Sequence, residues 1–98
     1  METETEKDVV VINVSDVTDI GQLHRLLMKS LVFPDYYGMN WDAFWDAITG
    51  LVELPDSIVF EGWVHLENLV SEDTKIMKSM FTKLNEIYPT LRCEVKYS

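Results

Sequence analysis

The sequence predicts an α/β fold, a small parallel sheet with helices packed on it, and three observations carry that reading. Short runs with strand character recur at Val9–Ile12, Ser57–Phe60 and Leu91–Tyr97. Between them lie segments whose apolar residues recur at helical spacing. Hydrophobic residues make up 47% of 98 residues, enough for one core in a chain too short for two.

Residues 1–8 read as a charged leader ahead of a single domain at 9–98. Val9-Val10-Val11-Ile12 is a continuous β-branched run, which suits a strand covered on both faces. Ser15-Asp16 and Thr18-Asp19 offer helix-start residues. Ile20, Leu23, Leu26, Leu27 and Leu31 then predict a helix over roughly 19–31. Pro34, Gly38 and the pair Tyr36-Tyr37 mark an ordered loop.

Asn40 is a good N-cap for a second helix running to about Val52, with Gly50 near its last turn and Pro55 closing the segment. After the strand at Ser57–Phe60, the residues Val64, Leu66, Leu69 and Val70 give a brief helix or turn. Ser71-Glu72-Asp73 could cap a longer helix with the stripe Ile76, Met77, Met80, Phe81, Leu84 and Ile87. Pro89 ends it, and the alternation from Leu91 to Tyr97 predicts the last strand.

Composition removes several function classes. Seventeen acids against eight bases leave a net charge of −9, so phosphate-backbone binding is not expected. A single cysteine, Cys93, excludes an internal disulfide and a Cys-based zinc cluster; it is expected as a small core hydrophobe. The start is acidic, and no apolar run approaches the ~20 residues that span a bilayer, so a cytoplasmic protein without membrane contact is expected. There is no Gly-rich phosphate loop, Ser-His-Asp arrangement or clustered metal-ligand set. Neither cofactor nor metal is expected. His24 reads as a partly buried helix histidine, His65 as an exposed loop residue, and Met77 and Met80 as core filler.

The second helix carries the information. At about 100° per residue, Trp41, Phe44, Ile48 and Leu51 share one face, expected to be core. Asp42, Asp46, Thr49 and Glu53 lie opposite, and Trp45 sits on the border. Residues 30–74 contain nine acids and no Lys or Arg, so nothing nearby neutralises the Asp42/Asp46 pair. A solvated acidic surface would explain the charge alone. The interleaved Tyr36, Tyr37, Trp41, Phe44 and Trp45 instead have the composition of an interface hot spot.

The stretch from Phe33 to Gly50, with its Pro-Asp-Tyr-Tyr-Gly, Asn40, Asp42-Ala43, Trp45-Asp46-Ala47 and Thr49-Gly50, resembles the signature of the barstar family. These are intracellular inhibitors of barnase-type ribonucleases. The resemblance implies a three-stranded parallel sheet with about four helices, no catalysis, and a monomer that forms a 1:1 complex with a basic ribonuclease or nuclease toxin. It implies partner-binding residues at Tyr36, Gly38, Asn40, Asp42, Trp45, Asp46, Thr49 and Gly50, with Asp46 taking the place of a substrate phosphate. Leu51 stands where a tryptophan contact is found in the family, and Lys83 where an acidic contact is found, which implies a target other than barnase. Two alternatives stay open: an acidic interaction module with a non-nuclease partner, and an enzyme using Asp42 and Asp46 as an acid/base pair.

Overall fold

In the computed structural model, which describes residues 8–98, three strands form one parallel sheet in the order β1-β2-β3. They are β1 Val9–Asn13, β2 Ser57–Glu61 and β3 Glu94–Tyr97. Two helices occupy each crossover: α1 Ile20–Leu31 and α2 Trp41–Asp46, then α3 Trp63–Leu69 and α4 Ser71–Ile87. A π-helical turn, Ala47–Leu51, extends α2, and a 3₁₀ turn, Pro89–Leu91, follows α4. Residues 1–7 of the expected leader lie outside the described residues.

The register puts Ile12, Phe60 and Tyr97 in one row and Val11, Val59 and Lys96 in the next. Ile12, Ile58 and Phe60 are buried, whereas Val9 and Val11 are 54% and 55% exposed. β1 therefore has one covered face where its sequence predicts two. Buried residues of all four helices join the cluster on the Ile12–Phe60 side. A run of valines has strand propensity on either face and does not report which face is covered.

Local chemistry explains most element ends. The Asp19 carboxylate accepts the Gln22 N–H at 2.8 Å, so α1 starts close to where its sequence places it. α4 begins at Ser71 without a side-chain cap; the Thr74 N–H donates to the Val70 carbonyl instead. α3 ends one residue earlier, with Val70 N–H donating to Leu66, so Ser71 falls inside the helix and cannot cap it. The last strand is shorter than predicted. Both backbone groups of Cys93 are taken by the Asn85 amide, each at 2.8 Å, so the ladder starts only at Glu94. Gly62 has φ +81°, and a Cβ there would lie 2.7 Å from the Ser15 Cβ, so only glycine lets β2 turn straight into α3.

An aromatic spine runs through the core. Phe44 meets Phe33, Trp41 and Phe81 edge-on at ring distances of 5.9, 5.2 and 5.5 Å. Phe81 passes the contact to Phe60, and Phe60 to Trp63 and Tyr97. Cys93 is buried at the sheet's edge of this core, where desolvation pushes its thiol pKa up to about 11, as befits an inert core side chain. His65 is exposed as expected but belongs to α3 instead of a loop, and its Nε2–H donates to the Val17 carbonyl at 2.7 Å. Met77 is core, and Met80 is half-buried.

The loop between α1 and α2 is fixed from beneath. His24, buried on α1, shares a 2.7 Å hydrogen bond between Nδ1 and the Tyr37 hydroxyl. Its ring lies 4.5 Å from that of Trp41. Desolvation lowers the His24 pKa from 6.5, against the opposing pull of the Asp73 carboxylate. Both ends of the loop are left-handed at non-glycine residues, Val32 and Met39, each at φ 59°. For β-branched Val32 that conformation is strained.

These features lead to three expected outcomes. Phe44→Ala removes the centre of the spine and should cost about 3–5 kcal/mol in urea unfolding. Val32→Gly relieves the left-handed strain at an exposed position and should add about 1 kcal/mol in the same assay. A neutral, buried His24 leaves the unfolded chain binding more protons, so stability is full above pH 6.5 and falls as pH drops below it. Unfolding profiles of His24→Gln should lack that component of the decline.

Candidate partner-binding site

Asn40 organises the start of the site. Its Oδ1 accepts the Ala43 N–H at 2.7 Å, and its Nδ2 donates to the Gly38 carbonyl at 3.2 Å. One side chain thus caps α2 and closes the loop onto it. Gly38 packs closely here, since a Cβ would stand 3.2 Å from that of Ala43. Tyr37 turns inward to His24, whereas neighbouring Tyr36 projects outward and is 74% exposed.

Asp42 and Asp46 lie one turn apart on α2, and both are exposed. Among the described residues the one ion pair within 4.0 Å is Lys75–Glu72, so neither aspartate has a Lys, Arg or His partner. Trp41 is half-buried; its indole N–H donates to Asp73 at 2.8 Å, which ties α2 to α4. That contact satisfies the indole donor as burial requires.

The regular helix stops at Asp46. Beyond it the Val52 N–H reaches back five residues to the Ala47 carbonyl, at 3.2 Å, and the Thr49 hydroxyl donates to the Trp45 carbonyl at 2.7 Å. The wider turn corrects two expectations. Leu51 is not core but 47% exposed, and Glu53 lies past the helix, in a separate depression that Asp56 and Arg92 also line. Thr49 is half-buried, and Gly50 is exposed with open space where a Cβ would be.

Asp42, Asp46 and Trp45 together line a cleft of about 410 Å³. Its other wall comes from α4, through Ser79, Met80 and Lys83. The Lys83 ammonium lies 5.6 Å from the centre of the Trp45 ring, and Tyr88 approaches the same ring at 6.3 Å. Tyr36, Gly38 and Asn40 precede this cleft along the chain, and Thr49 and Gly50 follow it, outside its lining. Ser79, Met80 and Tyr88 have no place in the sequence-level site. The signal available for Tyr88 was a large aromatic residue left just past the helix stripe, before Pro89.

Among the described residues no set of three His, Cys, Asp or Glu side chains is placed to hold a metal, and no helix is long and apolar enough to cross a membrane. What the arrangement offers chemically is a pair of exposed anions beside an aromatic surface, suited to cationic side chains.

A family model described as Barstar (barnase inhibitor) matches residues 7–96. A protein of Bacillus subtilis (strain 168) named "Putative ribonuclease inhibitor YrdF" is 44% identical over 54 residues, which cover 55% of this chain and 59% of that protein. The match thus spans less than two thirds of the relative's length. With the family model covering nearly the whole chain, and a three-stranded parallel sheet carrying four helices, this protein belongs to the barstar family.

Proposed function

We propose that this protein inhibits a basic ribonuclease or nuclease toxin inside the cell, as an immunity protein in a 1:1 complex. It does so by inserting the acidic face of α2 into the active site, flanked by Tyr36 and Trp45. The observation that carries this reading is the pair Asp42 and Asp46: exposed, one turn apart, without a cationic partner among the described residues, on a helix pinned by Phe44 and Trp41.

A ribonuclease site gathers Arg, Lys and His to bind phosphate and stabilise its transition state. Two carboxylates held rigidly can meet those groups in charge-assisted bonds, with Arg engaged through both oxygens. Asp46 takes the position of a substrate phosphate, and Asp42 pairs with cations at its edge. Because α2 is already ordered, little conformational entropy is lost on docking. A net charge of −9 speeds encounter with a cationic enzyme and does so less as salt rises.

The acid/base enzyme alternative calls for carboxylates facing each other across a cleft. Here both come from one helix, and the facing wall carries Lys83. That weighs against catalysis and in favour of binding.

Inhibition assays against basic ribonucleases of the barnase type test the proposal. Asp46→Ala should weaken inhibition by about thirtyfold or more, the loss typical of a hot-spot residue. Its unfolding free energy should stay within about 0.5 kcal/mol of the native value. Failure of the native protein to inhibit any basic ribonuclease, with a non-nuclease partner bound through the same face, would overturn the reading.

A further inference from the structure

The α4 wall of the cleft holds a cation that the inhibitor reading does not use. Three lysines of α4 have different surroundings. Lys75 pairs with Glu72, and Lys78 lies 4.7 Å from the Tyr97 ring and 5.9 Å from that of Trp63. Lys83 alone lines the cleft with Asp42 and Asp46. It sits over Trp45 within cation–π range, yet neither aspartate comes within ion-pairing distance.

The cleft is therefore bipolar. Its α2 side presents two anions, and its α4 side one ammonium resting on the same tryptophan. An incoming surface carrying only Arg and Lys would match the aspartates and bring like charge against Lys83. A surface with an acidic side chain beside its phosphate-binding cations would match both walls. Such juxtaposition of like charge is the usual way an interface rejects a wrong partner.

We propose that Lys83, held on Trp45, sets the choice of partner. The cognate nuclease bears a carboxylate next to its basic active site, placed to meet the Lys83 ammonium when Asp42 and Asp46 enter. This rests on the inhibitor reading and adds to it a selection rule, exerted from α4 and not from the acidic helix.

Barnase serves as the basic probe, titrated calorimetrically at low and high salt with the native protein, Lys83→Gln and Lys83→Glu. Urea unfolding of each variant checks that it is folded; Lys83→Gln adds no new charge beside the aspartates and keeps the test valid where the glutamate destabilises. Removing the repulsive ammonium should tighten barnase binding stepwise, with Lys83→Glu about tenfold or more tighter than native at low salt and the gain shrinking at high salt. Equal affinities across the three proteins overturn the inference, and so does absence of binding by folded Lys83→Glu. Either result leaves the inhibitor reading to the separate ribonuclease assays with Asp46→Ala, so the two failures are distinguishable.

Discussion

A helix of six residues cannot hold itself, and α2 is fixed by what lies beneath Phe44. That ring is fully buried and edge-packed on Phe33, Trp41 and Phe81, which join the α1–α2 loop, α2 itself and α4. Residues two positions away on an α-helix are rotated by about 200°. Burying Phe44 therefore turns Asp42 and Asp46 out to solvent together. The direction of both carboxylates is a consequence of one core contact.

Such a surface has a thermodynamic cost. Two carboxylates at i and i+4 repel by a few tenths of a kcal/mol, and Asp42 alone gains from the N-terminal end of the helix dipole. Strain gathers nearby: left-handed Val32 and Met39 bound the loop, and a π turn replaces the last turn of the helix. Departures of this kind collect at functional positions and persist because surrounding structure over-determines them. The aromatic spine, the His24–Tyr37 bond and the Asn40 cap supply that surrounding structure here.

Helical periodicity identified the outward aspartates and the inward Phe44 and Ile48, because all four lie on regular helix or within its first following residues. It failed at Leu51 and Glu53, since a turn closed by an i to i+5 bond advances more slowly than 100° per residue and rotates everything after it. No propensity marks that change. The short third strand has a similar origin: alternation from Leu91 is genuine, but the Asn85 amide captures Cys93 from a helix eight residues earlier. The α4 wall was legible only at Lys83, which the family resemblance put at a contact position, and its other residues were missed for a different reason. Lys83 and Tyr88 become neighbours of Trp45 only once the second crossover is packed, and a single sequence carries no record of that juxtaposition.

How ready the surface is for a partner follows from the ring cluster around His24. Its contacts with Tyr37 and Trp41, and Trp41's bond to Asp73, connect α1, the loop, α2 and α4 at one place. Groups tied into it are ordered before docking and lose little entropy when bound. Tyr36 stands outside it, beside a buried neighbour that is fully engaged. The backbone of α2 is therefore held in place from beneath, while the side chains it and the loop present outward, Asp42, Asp46 and Tyr36, stay exposed.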